Sequence, residues 1–279
     1  MTLGNLGRRM RNRLRALIAP VPEIPAALWL DSTRHYPFLA ALALPEQARL
    51  RALSALFLQH KEFTGAHGLV VTDAMAVAIA AQACLPLLHW GAPRKALAWY
   101  DDFVGIVVHP GDALARRQMQ DASGVVHDYS EVLQGEAMER GPIMLSWPAV
   151  HDAGRGPHAQ ASSVVIHEFV HKIDMKNGAA DGFPPLPGNF MGAASARAAR
   201  RAWHAAWQPA YERLRDQVAM AQRFGAAWPW LDAYGATNPA EFFAVACEAY
   251  FVDRPRFAQE FPSLLPVLDA FFQRPAAAG

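Results

Sequence analysis

The sequence predicts a mostly helical α+β fold with a small β-sheet. Apolar residues recur at helical spacing in several long segments, whereas two short runs are rich in the β-branched residues typical of strands. Apolar residues make up 52% of the 279 positions, which is enough to fill a sizeable core. No internal repeat or low-complexity linker divides the sequence. We therefore expect one domain over residues 21–279, preceded by a basic arm over residues 1–20.

Two helices are predicted in the first third of the chain. Residues 45–63 place leucines and alanines at helical spacing among arginines, a pattern typical of an amphipathic helix. Residues 74–84 are rich in alanine and valine on all sides, which predicts a buried helix. Thr72 and Asp73 are suited to cap this second helix, and Pro86 is expected to end it.

Two strands are predicted in the middle of the chain. Residues 103–109 are β-branched and end at a Pro-Gly turn, and residues 142–147 follow a glycine and stop before a proline. The segment 123–135 between them indicates a hairpin or a loop. The second strand either lies in the core or offers its edge to an extended peptide, and its sequence leaves both possibilities open.

A helix followed by a long loop is predicted in the second half of the chain. The helix carries residues 164–174, starts at Ser162 or Ser163 and ends at Asn177-Gly178. The loop covers residues 179–192 and is rich in glycine and proline. Loops of that length in compact domains are often functional.

Three more helices complete the predicted fold. An amphipathic helix covers residues 194–224, in which Pro209 predicts a kink or a division. The pair Asn238-Pro239 marks the start of the next helix, because asparagine is a preferred cap and proline is favoured at the first helical position. A short helix over residues 263–272 is expected to be the last.

Charge and cysteine content argue against several classes of protein. The 26 basic and 25 acidic residues nearly cancel, so no global charge favours binding to nucleic acid or to a membrane surface. The longest apolar run, residues 74–88, is shorter than the roughly 20 residues that a membrane span needs. Cys84 and Cys247 lie far apart, which argues against a disulfide framework and a thiolate metal site. Because the N-terminus also lacks an apolar signal core, we expect a cytoplasmic protein.

The strongest functional motif is His-Glu-Phe-Val-His at residues 167–171. Positions four apart stack on one face of a helix, so His167 and His171 are placed to bind one metal ion, with Glu168 beside them. This is the HExxH pattern of zinc hydrolases. Its apolar context, which a core can hold in place, favours a zinc site over two helix histidines without a metal.

The third metal ligand is not fixed by spacing. Catalytic zinc usually has three protein ligands, and the HExxHxxGxxH extension fails because this chain has Asp174 and Asn177 at the required glycine and histidine positions. A later carboxylate is the natural option, and Glu241 and Glu248 lie two helical turns apart on about the same face. Glu241 alternatively forms a capping box with Asn238, and Glu248 is alternatively an exposed or ion-paired helix residue.

Four segments of the chain resemble the Mlc titration factor A family of bacterial zinc peptidases. They are HEFVHKID at 167–174, QACLP at 82–86, LSW at 145–147 and NPAEFFA at 238–244. The resemblance runs from about residue 27 to the final helix. Over the two metal segments alone, the chain is also similar to the catalytic domain of anthrax lethal factor.

The resemblance implies a gluzincin site in which Glu241 is the third ligand of one Zn²⁺ per chain and Tyr234 lies nearby. It also implies aminopeptidase-type cleavage of small peptide substrates and binding to the glucose repressor Mlc. In such a site Glu168 is the general base for the zinc-bound water, and the Tyr234 phenol stabilises the oxyanion. Asp174 or Glu248 is expected to orient the histidine rings.

A second hypothesis makes the protein an interaction protein rather than an enzyme. It would sequester a transcription repressor resembling Mlc and use its zinc for structure alone. The two functions are compatible within one chain. Neither the peptide substrate nor the repressor follows from composition or spacing.

Overall fold

The structure is a computed structural model that describes residues 23–111, 113–120, 126–133, 135–137, 141–155 and 161–273. The predicted basic arm over residues 1–20 lies outside the described residues. The assignment of residues 21–279 to one domain stays a prediction. Within the described residues, no helix is both long and apolar enough to cross a membrane.

Helices dominate the structure, as the sequence predicts. In chain order they are α1 (Ala26–Thr33), α2 (Pro37–Ala40), α3 (Leu44–His60), α4 (Asp73–Cys84), α5 (Pro93–Leu97), α6 (Trp147–His151), α7 (Val164–Asp174), α8 (Ala196–Phe224), α9 (Pro239–Val252), α10 (Arg254–Glu260) and α11 (Leu265–Phe271). Together with a small sheet they confirm the predicted mostly helical α+β class.

The long helices agree with the predicted ones except at the end of α3, where Glu62 and Phe63 of the predicted helix 45–63 belong to a strand. The short last helix α11 matches the predicted helix 263–272, whereas the other short helices were not predicted. Four of the short helices, α2, α5, α6 and α10, have proline in their first two positions. A sequence pattern treats proline as a breaker, although proline is well tolerated at a helix start. Helix α8 runs unbroken past Pro209, so the predicted division there is wrong. Trp203, Trp207 and Leu214 anchor α8 in the core on both sides of the proline.

The strands form a four-stranded sheet and a separate two-stranded sheet. They are β1 (Glu62–Gly65), β2 (Gly105–His109), β3 (Ala113–Gln120), β4 (Val126–Leu133), β5 (Gly135–Ala137) and β6 (Ile143–Ser146). The sheet has the order β1-β2-β6-β5, in which β1, β2 and β6 are parallel and β5 is antiparallel to β6. Strands β3 and β4 pair with each other in antiparallel orientation. Of the predicted hairpin or loop segment 123–135, residues 126–133 form β4 and residue 135 begins β5, while residues 123–125 and 134 lie outside the described residues.

Strand β6 is an internal strand, so of the two possibilities left open by the sequence the core strand is confirmed and the free edge is wrong. It pairs with β2 through Ile106 opposite Ile143 and with β5 through Ala137 opposite Ile143. Ile143 and Leu145 are buried, as the alternative of a core strand requires. In the described residues β5 pairs with β6 alone, so β5 is the edge strand on that side of the sheet.

Helix α7 is held in the hydrophobic core by one face. Its apolar residues at that face are completely buried: Val165, Ile166, Phe169, Val170 and Ile173. The ring of Phe169 packs against Phe57 of α3 and against Tyr100 and Phe103 of the segment before β2, with ring centroids between 4.9 and 5.8 Å apart. Burying a phenylalanine side chain contributes about 1.5–3 kcal/mol to the free energy of unfolding, so this packing fixes the position of α7. The polar face of the helix, with His167 and His171, is then directed to the site.

Candidate metal centre

Helix α7 places the two predicted histidines one above the other. Its first turn is closed by Ser163, whose Oγ accepts a hydrogen bond from the backbone N–H of Ile166 at 3.2 Å. One turn separates His167 from His171, and their ring centroids are 4.8 Å apart. The cap and the buried apolar face therefore fix where both imidazoles lie.

Helix α9 brings Glu241 to the same place. Asn238 caps the helix by accepting a hydrogen bond from the backbone N–H of Glu241 at 3.0 Å. The Glu241 carboxylate extends towards α7, where its Oε2 lies 3.0 Å from His167 Nε2 and 3.2 Å from His171 Nε2. Asn238 thus provides the cap, and the Glu241 side chain contacts the histidines.

Three potential ligand atoms converge between α7 and α9. They are His167 Nε2, His171 Nε2 and Glu241 Oε2, and the two imidazole nitrogens are 3.1 Å apart. In the described part of the chain this is the one group of three or more histidine, cysteine or acidic side chains with the spacing of metal ligands. Two imidazole nitrogens and one carboxylate oxygen with this spacing are typical ligands of a metal ion, so the group can hold one.

The electrostatics of the group keep Glu241 ionised. Burial on its own would raise the pKa of Glu241, but hydrogen bonds and charge from His167 and His171 hold that pKa well below its usual range. Burial likewise works to lower the pKa of His167, but Glu248 and Glu241 hold it well above its usual range. A metal cation bound here would therefore take the place of the positive charge on His167, which Glu241 and Glu248 already stabilise.

Glu168 lies beside the three-atom group but is not part of it. It is 4% exposed, and burial raises the pKa of its carboxyl. The backbone of β5 packs directly on it at Gly135, where an added Cβ would lie 2.5 Å from Glu168 Oε1. A side chain at position 135 would force the Glu168 and Val164 side chains to shift, so Glu168 is enclosed between α7 and the edge strand.

Glu248 supports His167 from the opposite side of the ring. Its Oε1 accepts a hydrogen bond from His167 Nδ1 at 2.7 Å, and its Oε2 accepts one from the backbone N–H of Ser163 at 2.7 Å. Of the two glutamates that spacing could not separate, Glu241 faces the potential ligand atoms and Glu248 faces the back of the ring. This position agrees with the orienting role expected for Glu248.

Asp174 does not make the contact expected of it. It is fully buried and accepts a hydrogen bond from the backbone N–H of Gly182 at 2.8 Å, while burial raises its pKa to about 6. His171 Nδ1 has no hydrogen-bond partner among the residues that the structure describes. The two histidines are therefore held differently, His167 by Glu248 and His171 by packing.

Tyr234 lies next to His167, in the short 3₁₀ turn Ala233–Ala236 that precedes α9. The side chain of Asp232 caps this turn by accepting a hydrogen bond from the Tyr234 N–H at 2.9 Å. The rings of Tyr234 and His167 have centroids 6.1 Å apart, and Tyr234 is 37% exposed. All five predicted site residues thus meet in one region of the molecule.

Comparison with known proteins identifies the family of this chain. Residues 8–273 match the model of the glucose-regulated metallo-peptidase M90 family. The chain belongs to this family. It is 34% identical over 249 residues to Mlc titration factor A of Serratia proteamaculans strain 568, covering 89% of this chain and 87% of that protein. It is 32% identical over 248 residues to Mlc titration factor A of Salmonella arizonae, covering 88% and 90%. The resemblance inferred from the four motifs is thereby confirmed.

In this M90 chain, Gly182 joins the two helices of the site, a role that the sequence did not indicate. Its N–H binds Asp174 at the end of α7, and its carbonyl accepts a hydrogen bond from the Trp203 indole of α8 at 3.0 Å. An added Cβ would lie 2.5 Å from the carbonyl oxygen of Pro239 at the start of α9. The loop 179–192 therefore touches both metal-site helices at one glycine.

Gly182→Ala is expected to lower stability and to weaken metal binding together. The φ of +79° costs a residue with a Cβ about 1–2 kcal/mol, and the overlap with Pro239 pushes the start of α9 away from α7. Thermal unfolding and metal titration measure the two effects. The control is Gly188→Ala in the same loop, where the nearest heavy atom is 3.8 Å away and a change within about 0.5 kcal/mol is expected. Equal effects of the two substitutions would contradict the role of Gly182.

Proposed function

We propose that this M90 chain is a zinc-dependent peptidase of the gluzincin type, with aminopeptidase-like activity on small peptides. The observation that carries the proposal is the convergence of His167 Nε2, His171 Nε2 and Glu241 Oε2 within 3.2 Å, with the Glu168 carboxylate beside them. Two imidazoles and one carboxylate are the ligands of a His₂Glu catalytic zinc site, which keeps a fourth position for water or substrate.

The spacing of the three atoms fits zinc. Ligands at about 2.0–2.1 Å in a tetrahedral arrangement lie roughly 3.3 Å from one another. The three observed separations of 3.0, 3.1 and 3.2 Å are close to that value. We assign one Zn²⁺ per chain to His167, His171 and Glu241.

Held by His167, His171 and Glu241, zinc would supply a water of lowered pKa and polarise the scissile carbonyl. Glu168 would take a proton from the water as the water oxygen bonds to the carbonyl carbon, and would pass that proton to the amine nitrogen as the C–N bond breaks. The pKa of Glu168, raised by burial, favours its holding the proton between these steps. Enclosure by Gly135 supports this role, because the carboxylate has little room to turn away.

Strand β5 is our proposed docking edge for an extended peptide. It lies against Glu168 at Gly135 and pairs, in the described residues, with β6 alone. A peptide added as a further strand would pass its backbone along the general base. This assignment replaces β6, both of whose sides are already paired.

The Tyr234 phenol is our proposed donor to the oxyanion of the tetrahedral intermediate. Tyr234→Phe is then expected to lower kcat by roughly 10²-fold, the lower end of what one such donor contributes, with zinc content unchanged. Steady-state kinetics and metal analysis measure both. The matched control is Tyr211→Phe on α8, a tyrosine that packs against Phe242 outside the site. Unchanged kcat in Tyr234→Phe would remove Tyr234 from the mechanism.

Removal and return of zinc test the proposal as a whole. Protein treated with a chelator is expected to lose hydrolysis of small peptides, and one equivalent of Zn²⁺ per chain is expected to restore it. Peptides with a free N-terminus should be cleaved faster than their N-acetylated forms. Full activity in zinc-free protein, or none in zinc-loaded protein, would refute the peptidase assignment. Faster cleavage of the acetylated peptides would refute the aminopeptidase part alone.

A second candidate function follows from the name that the relatives carry, Mlc titration factor A. It is the sequestration of a transcription repressor resembling Mlc, with zinc in a structural role. Both functions fit a cytoplasmic protein, which the two buried and unpaired cysteines, Cys84 and Cys247, support. The Glu168→Gln variant separates the two functions, since capture of the repressor does not need a general base.

A further inference from the structure

A chain of buried polar groups connects helix α4 with the back of the metal site. Gln82 Oε1 lies 2.7 Å from Ser163 Oγ, the Ser163 backbone N–H lies 2.7 Å from Glu248 Oε2, and Glu248 Oε1 lies 2.7 Å from His167 Nδ1. Gln82 and Ser163 are 0% and 1% exposed, and Glu248 is 7% exposed. Water therefore has little access, and each group depends on the others for its hydrogen bonds.

The direction of the hydrogen bonds is fixed at the Gln82 end. The Gln82 Nε2 group lies 3.4 Å from the carbonyl oxygens of both Ala78 and Val150, which accept hydrogen bonds but cannot donate them. The amide oxygen of Gln82 must then face Ser163, so the Ser163 hydroxyl donates to it. The oxygen lone pair of that hydroxyl is left to accept the N–H of Ile166, which is the cap of α7.

The donors and acceptors of the hydrogen bonds between Ser163, Glu248 and His167 are also determined. A backbone N–H can only donate, so Ser163 donates to Glu248 Oε2 and holds the carboxylate in place. The other oxygen, Oε1, accepts from His167 Nδ1, which places the proton of the neutral ring on Nδ1. His167 Nε2 is then left with its lone pair facing His171 and Glu241.

We propose that Gln82, Ser163 and Glu248 are positioning residues that hold His167 in the tautomer and orientation needed to bind the metal. This inference rests on the proposed zinc site. It also gives a role to Gln82 in the QACLP segment, which contacts none of the potential ligand atoms. His171 Nδ1 has no such partner among the described residues, so the effect belongs to His167 alone.

Zinc affinity of the full-length chain, measured by competition with a chromophoric chelator, tests the proposal. Glu248→Gln keeps the shape of the side chain, but its amide N–H₂ then faces either the Ser163 N–H or the His167 Nδ1–H and cannot accept a hydrogen bond from it. We expect zinc to bind about 10–100-fold more weakly. Gln82→Met keeps the volume and removes the acceptor for Ser163, and we expect a loss of about tenfold. Ser163 is left unchanged because it also caps α7. Ser54→Ala, a buried serine on α3 outside this chain of contacts, is the matched control and should keep wild-type affinity.

A second readout reports on the histidine itself. In the zinc-loaded wild type the Nδ1 proton of His167 should give a downfield, slowly exchanging NMR signal, which Glu248→Gln should shift or broaden. A purely structural role would lower the thermal stability of the zinc-free protein and leave this signal and the affinity unchanged. Circular dichroism shows whether each variant folds, and if Glu248→Gln does not fold, Gln82→Met decides.

The outcomes separate two failures. Absence of zinc binding in the wild type would refute the proposed function. Zinc binding in the wild type together with unchanged affinity and an unchanged Nδ1 signal in the folded variants would overturn the positioning role alone. An equal loss of affinity in Ser54→Ala would overturn it as well, because the loss would then follow from disturbing any buried polar side chain.

Discussion

Glu168→Gln is expected to retain one zinc per chain while hydrolysing peptides about 10²–10⁴-fold more slowly, the contribution of a general base. Glutamine has the shape of glutamate and fits under Gly135, but its amide cannot take a proton from water. Glu168 is not one of the three potential ligands, so metal content should not change. Steady-state kcat/KM and metal analysis of the purified variant measure the two quantities.

The control for this substitution is Glu212→Gln, which removes an exposed carboxylate on α8 away from the site. It should leave turnover and zinc content at their wild-type values. Capture of a repressor, if the chain has that function, should survive in both variants. Undiminished turnover in zinc-loaded Glu168→Gln would refute the catalytic assignment and leave repressor capture as the better function.

The helix that carries the two histidines was predictable because its signals are local. A serine cap at 162 or 163, the apolar face with Phe169 and the spacing of His167 and His171 all lie within one short segment, and the structure has each of them, with Ser163 as the cap. The same holds for the start of α9 at Asn238-Pro239, where cap and first-turn proline stand side by side. Local chemistry specifies these elements before any tertiary contact forms.

The choice between Glu241 and Glu248 was not predictable from spacing, and the reason is geometric. Seven residues are about two turns, so both carboxylates lie on the face of α9 that meets α7. Which of them meets the Nε2 side of His167 and which meets Nδ1 depends on how far α9 is shifted along α7. That shift is set by packing, including the contact of Gly182 with Pro239, between residues far apart in sequence.

The edge strand β5 and the role of its Gly135 could not be predicted from the sequence either. Strand β5 has three residues, too few to show an alternating pattern, and it was recognised only from its pairing with β6. Gly135 and Gly182 look like ordinary loop glycines in the sequence, although a side chain at either position would overlap another group: the Glu168 and Val164 side chains at Gly135, and the Pro239 backbone at Gly182. Sequence patterns report on burial and capping, and they do not report on such close approaches.

Loss of bound zinc is expected in Glu241→Ala, the substitution with the largest effect on the metal. It removes the one anionic ligand and leaves only His167 and His171. A catalytic zinc site usually has three protein ligands, so two imidazoles alone should not retain the ion. After dialysis against zinc-free buffer the variant should contain almost no zinc, and its hydrolysis should be lost with it. Metal analysis and peptide hydrolysis measure the two losses.

Glu248→Ala is the matched comparison. Like Glu241, Glu248 lies on α9 and its carboxylate contacts His167. The variant should still bind zinc at high zinc concentration, with affinity lowered by about 10–100-fold, because all three potential ligands remain. A lower zinc affinity in Glu241→Ala than in Glu248→Ala would therefore support Glu241 as the third zinc ligand. Full zinc in Glu241→Ala would refute it as a ligand, and loss of zinc in Glu248→Ala alone would exchange the roles of the two residues. Full zinc affinity in both variants would mean that neither glutamate is a ligand, and the His₂Glu assignment would fall with it.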